Sequence, residues 1–219
     1  AKAKAAAKEL KEILLNSGRL DDDQFTAIRR LVLAGADPDT RERDSMDSMS
    51  VLFRAAFQGR LEDVKFLHKR GANINLEMCG GTALFAAAGN ACGAIVQYLI
   101  DNGASVDAVD ATGNTVLHVI AKEARKIGKG GPLGAFVATA TMLVEAGADL
   151  GRKNGDGDKA VDIGLKSTGR GPAWTGFLHV LGASEAQIGV RLLDLEQDGV
   201  ALTTTLCPDW PEAEAEAEG

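Results

Sequence analysis

Four groups of residues in this chain have the types and spacing that could do chemistry. Gly128-Lys129-Gly130-Gly131 has the composition of a phosphate-cradling loop, in which small residues let backbone N–H groups surround an anion and a lysine adds charge. Asn154-Gly155-Asp156-Gly157-Asp158 has the alternating oxygen donors of a calcium loop. His68, His118 and His179 are the only histidines, and Cys79, Cys92 and Cys207 the only cysteines.

Each pattern stops short of a site. A phosphate loop needs G-x-x-x-x-G-K-[ST] between a strand and a helix, and neither flank is present here. A calcium loop closes on a bidentate Glu at its twelfth position, where this chain has Leu165. No histidine has a Cys or His at metal-ligand spacing, and Cys79 and Cys92 lie thirteen apart without such a companion. Nothing places a nucleophile beside a base. The sequence therefore predicts no catalytic residue, no cofactor and no metal. Gly128–Gly131 reads as a loop whose positive charge could contact an acidic partner, and Asn154–Asp158 as a polar turn.

Composition narrows the class further. The 219 residues are 45% hydrophobic but only 5% aromatic, with 26 glycines, which suits closely stacked small-residue helices. A net charge of -7 argues against general nucleic-acid binding, which needs a basic surface to release counterions. No run approaches the roughly 18 apolar residues of a membrane span. Ala1–Glu9 lacks the apolar core of an intact signal peptide. An odd cysteine count reads as reduced thiols in a cytoplasmic protein, with an exported effector or a periplasmic protein as the alternative.

The elements that would position these residues are helices. Leu10, Ile13 and Leu14 share one face of a first helix that ends at Asn16-Ser17-Gly18. Asp21-Asp22-Asp23 caps a second, which carries Phe25, Ile28, Leu31 and Val32 and stops at Gly35. The pattern then repeats. Gly-Ala pairs begin at Gly35, Gly71, Gly103, Gly147 and Gly182, spaced 36, 32, 44 and 35 residues. Helix-opening tetrads begin at Ser50, Thr82, Thr115 and Lys159, spaced 32, 33 and 44. Both registers give a period near 33, with about 11 residues inserted in one unit.

The stretches Asp110-Ala111-Thr112-Gly113-Asn114-Thr115-Val116-Leu117-His118 and Gly59-Arg60-Leu61-Glu62-Asp63-Val64-Lys65-Phe66-Leu67 resemble the ankyrin repeat family, whose unit is a β-turn and two helices opened by a T-P-L-H-like tetrad. Val51, Ala83, Val116 and Ala160 stand where the family has Pro, and Phe53, Phe85 and Asp162 where it has His. Ser50, Thr82 and Thr115 are placed to accept a first-turn N–H, and Leu52, Leu84 and Leu117 to point into the stack. The resemblance implies an all-α solenoid of about five units, 1–39, 45–76, 77–108, 110–151 and 154–183, with the first and last degenerate. Stacking supplies the stability that no unit has alone. Residues 123–134 form the insertion, between the two helices of the fourth unit. Ser184-Glu185-Ala186-Gln187 matches a capping box, so 184–208 is expected to be a helical capping extension and 209–219 a disordered acidic tail.

The resemblance also implies function: recognition of another protein through a concave face made of the finger tips and the ends of the first helices. By alignment the finger positions are Met46, Asp47, Met49, Met78, Cys79, Thr112 and Asn114, and the helix-end positions Phe57, Gln58, Asn90 and Lys122. Met46, Met49, Phe57 and Met78 are apolar where a solvated scaffold would be polar, and methionine adapts to varied partners. The expected protein is a non-catalytic, monomeric scaffold. The alternative is the interaction domain of a larger effector or enzyme.

Overall fold

The computed structural model describes residues 2–16, 19–41, 49–78, 80–126, 133–166 and 172–184. Ten helices lie in those residues, in five consecutive pairs: α1 (Lys2–Asn16) with α2 (Asp22–Leu33), α3 (Val51–Phe57) with α4 (Leu61–Lys69), α5 (Ala83–Gly89) with α6 (Gly93–Asp101), α7 (Val116–Lys126) with α8 (Leu133–Glu145), and α9 (Ala160–Leu165) with α10 (Pro172–Val180). No strand occurs among the described residues. Single antiparallel bridges, Arg41 with Ser50, Met78 with Gly81 and Lys153 with Lys159, brace the segments ahead of α3, α5 and α9.

The helices stack in two rows. α3, α5, α7 and α9 touch in succession, and behind them α4, α6, α8 and α10 do the same. The front row is built from small residues. Ala55, Ala56, Ala86, Ala87 and Ala88 are all buried, so adjacent helices approach without large side chains between them. Leu52, Leu84 and Leu117 are fully buried at the same position of successive front helices. The second row adds Val64, Leu67, Ile95, Val96, Leu99, Phe136 and Leu143. One continuous apolar core runs from α1 to α10, so no pair stands as a separate unit.

Glycine ends the second helix of every pair. Gly35, Gly71, Gly103, Gly147 and Gly182 have φ between 86° and 95°, a conformation in which a Cβ would crowd the following carbonyl. The next N–H then turns back to a helix carbonyl, as in Ala72 N to Leu67 O and Ala104 N to Leu99 O.

The tetrads behave less uniformly than their sequence implies. Ser50 caps α3, its hydroxyl accepting from Phe53 N at 3.1 Å. Thr82 occupies the cap position of α5 but makes no cap bond, and its buried hydroxyl has no hydrogen-bond partner. In the third copy the Thr115 hydroxyl and backbone N–H both turn to His118 Nδ1, at 2.8 and 3.1 Å. His118 Nε2 bonds Asp158 O, 2.9 Å away in the next unit. Where phenylalanine replaces that histidine, packing replaces the bond. The Phe85 ring lies over Gly81 so closely that a Cβ there would sit 2.4 Å from Cγ. In the last copy Asp162 accepts from Lys159 N at 2.8 Å, closing the first turn of α9.

The first pair is fastened to the second by charge. Asp63, at the start of α4, is buried and receives Arg29 Nε from α2 and Arg60 Nε, each at 2.6 Å. Arg60 also pairs with Asp22 and lies 4.1 Å from the centroid of the Phe25 ring. From the front row, the Arg54 guanidinium donates to Leu14 O at 3.2 Å.

Helix α7 runs to Lys126 and α8 begins at Leu133, so the ends of the 123–134 insertion lie within these two helices. The expected loop over 127–132, the capping extension over 184–208 (beyond Ser184) and the tail over 209–219 lie outside the described residues.

Candidate functional site

The expected contacts fall on the C-terminal ends of the front helices and on the turns ahead of them. Two concavities involve these positions. The first, about 400 Å³, is lined by Arg19, Phe57, Gln58, Gly59, Asn90 and Cys92. It spans three consecutive pairs. Phe57 ends α3 and leaves 56% of its surface exposed. Asn90 follows α5, holding Ala86 O through Nδ2 at 3.0 Å, and is exposed. Burial raises the Cys92 thiol above its ordinary pKa, so it stays protonated and is a poor nucleophile at neutral pH.

The second concavity, about 310 Å³, lies between the end of α7 and the turn before α9. Lys122, Glu123, Arg125 and Lys126 form one wall and Asp156, Asp158 and Lys166 the other. Two of its cations are bound to carboxylates, Lys126 to Glu123 at 2.6 Å and Lys166 to Asp158 at 2.5 Å.

Behind this second wall is a polar knot centred on Asn114. Its N–H and Nδ2 donate to the Asp110 carboxylate, both at 2.9 Å. Its Oδ1 accepts from Lys122 Nζ at 3.0 Å and from Asn154 Nδ2 at 2.9 Å. Burial opposes the Asp110 charge, but the bonds from Asn114 and Thr112 outweigh it and hold the carboxyl below its usual pKa. Asn154 Oδ1 in turn accepts from Asp156 N and Asp158 N, each at 3.0 Å. The residues that suggested a calcium loop thus spend their first donor on a turn. Burial pushes the His118 imidazole below its ordinary value, against the smaller opposing effect of its bond to Asp158 O.

The positions expected to contact a partner divide. Phe57, Gln58 and Asn90 come together in the first cleft, and Lys122 lines the second. Met49 is 46% exposed ahead of α3, and Thr112 is exposed in the turn ahead of α7. Three expectations need correction. Met78 is 5% exposed, and its Sδ receives Ser50 N at 3.2 Å, so it joins two neighbouring turns and does not face outward. Asn114 is buried in the knot above. The Gln58 amide clamps the backbone of Leu20, donating to its O at 2.8 Å and accepting from its N at 2.9 Å; it borders the cleft as a strut. Met46, Asp47 and Cys79 lie outside the described residues, as does the Gly128–Gly131 phosphate-loop candidate.

Sequence reasoning missed Arg19, Cys92, Arg125 and Lys166. Arg19 is distant in sequence from Phe57 and reaches its cleft only because Gln58 grips Leu20; no local pattern signals that. Arg125 and Lys166 had a usable signal, since each closes the first helix of a unit, as Phe57 and Asn90 do.

Among the described residues, no group of three His, Cys, Asp or Glu could hold a metal ion. No described helix is long and apolar enough to cross a membrane. No curated protein matches the chain. The family model described as ankyrin repeats (3 copies) matches residues 20–110 and 52–154, together more than half of the chain. Ankyrin repeats are generally protein–protein interaction modules. With helix pairs, glycine closures and a tetrad histidine bonded to the next unit, the chain belongs to the ankyrin repeat family.

Proposed function

We propose that this chain recognises another protein through the face formed by its turns and the C-terminal ends of α3, α5 and α7, and that it catalyses no reaction of its own. The observation that carries the reading is Phe57. An aromatic ring more than half exposed, set in a cleft with Arg19 and Asn90, is the kind of residue that dominates interface energies once a partner covers it. Met49, nearly half exposed in the preceding turn, adds a flexible apolar contact.

The test is affinity capture from the source cell with wild-type, Phe57→Ala, and Phe57→Ala with Asn90→Ala. Truncating an interface aromatic costs about 2 kcal/mol or more, roughly a thirtyfold loss of affinity. The same substitution on an exposed position leaves folding stability within about 0.5 kcal/mol. A well-folded double variant that captures the same proteins as wild-type, in the same amounts, would remove the reading.

A further inference from the structure

The cleft of about 400 Å³ that Phe57 and Arg19 share falls in the lower part of the range of ligand-binding clefts. Its apolar side is Phe57, 56% exposed. Gly59 and Cys92 adjoin it without an intervening side chain, since a Cβ on Gly59 would stand 3.5 Å from Cys92 Sγ.

The polar groups of the same cleft are unequal. Gln58 is committed to Leu20 at both ends of its amide. Asn90 spends one Nδ2 hydrogen on Ala86 O at 3.0 Å; its Oδ1 and its other N–H are free to bond a peptide backbone. Arg19 is exposed and forms no ion pair with any described residue. By contrast, Arg29, Arg30 and Arg60 of the first two helix pairs are each bound to a carboxylate. No carboxylate lines the cleft, although the chain as a whole carries a net charge of -7. An uncovered ring and an uncompensated guanidinium thus stand in one concavity.

We propose that this cleft takes an internal segment of the partner protein in which a leucine or aromatic side chain lies next to an aspartate or glutamate, the apolar group against Phe57 and the carboxylate on Arg19. This rests on the recognition reading above and adds the chemistry of what is recognised. The two contacts support each other. An exposed ion pair contributes little alone, but an apolar side chain laid on the ring also removes water from the guanidinium, and a carboxylate there is then held more strongly. Arginine suits the position, because its weakly hydrated guanidinium offers paired N–H groups that match a carboxylate. An extended chain advances about 3.3–3.6 Å per residue, so adjacent residues reach the ring and the guanidinium of one cleft. A basic segment would set a second cation against Arg19, which makes the selection partly one of exclusion.

The experiment titrates the full chain with short peptides, acetylated and amidated so that no terminal charge takes part, and follows backbone amide spectra. The probe is Gly-Ser-Glu-Leu-Glu-Ser-Gly. Three controls replace its glutamates by glutamine, its glutamates by lysine, or its leucine by alanine. The probe is expected to shift the amides of Phe57, Gly59 and Asn90. The glutamine control should bind about fivefold more weakly, the upper range of an exposed ion pair, and the alanine control about tenfold more weakly. Arg19→Glu, which lies outside the helices and whose folding circular dichroism confirms, should reverse the order of the glutamate and lysine peptides. If glutamate and glutamine peptides bind alike, or the probe leaves these amides unmoved, the proposal is overturned. Shifts of the same amides with protein concentration alone would assign the cleft to a second copy of the chain and overturn it too. In either case, capture that still depends on Phe57 keeps the recognition reading. Selective binding of the probe with capture indifferent to Phe57 upholds the cleft chemistry and removes that reading.

Discussion

Replacing Asp63 by asparagine isolates the charge that fastens the first helix pair to the second, and with it the wall that places Arg19 beside Phe57. The Asp63 side chain is 4% exposed and accepts one guanidinium N–H on each oxygen at 2.6 Å. Asparagine keeps the shape but removes the charge and turns an N–H₂ toward one of the two arginines. Two hydrogen bonds to a charged group are worth about 1.5–3 kcal/mol each, which bounds the loss at about 6 kcal/mol. The true cost is smaller, because the Arg29 and Arg60 side chains keep 42% and 27% exposure and can recover water, and one amide oxygen still accepts. About 2–3 kcal/mol remains. Urea unfolding of Asp63→Asn, Arg29→Ala and the double variant gives the coupling between the two groups. Since stability in a stacked array is a sum of unit and neighbour terms, hydrogen exchange should show protection lost first in α1 and α2 and little changed in α9. A loss below about 0.5 kcal/mol, the level of an ordinary surface substitution, would refute the reasoning, as would an equal loss of protection along the whole stack.

Three further expectations follow from particular contacts. Gly81→Ala should destabilise by about 2–4 kcal/mol, combining a left-handed backbone with a Cβ 2.4 Å from the Phe85 ring; Gly103→Ala, with similar φ but nothing within 4 Å, should cost only about 1–2 kcal/mol, and equal costs in urea unfolding would dismiss the ring contact. Burial holds the His118 pKa below the value near 6.5 of the unfolded chain. Its contribution is therefore complete above about pH 6.5 and is lost progressively as pH falls from there through the lowered folded value, so wild-type should lose more stability than His118→Asn between about pH 8 and pH 5.5. Asn114→Ala should cost about 2 kcal/mol by unpairing Lys122 Nζ and Asn154 Nδ2 and removing one of the bonds to Asp110, and a double-mutant cycle with Asn154→Ala should be clearly non-additive; simple additivity would mean the knot is not shared.

Much of the fold was legible because its determinants are local. The period near 33, the glycine after each second helix, the leucine two residues into each tetrad and the alanine-rich front helices all follow from short-range rules about caps, φ and apolar spacing. They reappear as five helix pairs on one continuous core. The extra residues of the fourth unit were legible for the same reason, since two independent registers had to shift by the same amount. The face was legible only as far as a repeat register extends. Phe57 ends α3, Asn90 follows α5 and Lys122 is four residues short of the end of α7, and alignment between units placed all three at a similar register.

Which side of each turn is covered was not legible, because a turn in a stacked array is buried by the next unit, through contacts that its own sequence does not encode. Met78 and Met49 are both methionines in finger turns, yet one is sealed against Ser50 N–H and the other stays half open. Thr82 and Ser50 hold equivalent cap positions, and only the serine makes its bond. Asn114 looked like a tip residue until four hydrogen bonds from two adjacent units closed around it. Arg19 joined the cleft through a clamp between Gln58 and Leu20, 38 residues apart in the chain. The sequence by itself determined the repeat and its units, since those rest on backbone and helix-face rules within about 33 residues. The composition of the exposed face depended on how consecutive units press together, and only the tertiary structure decided it.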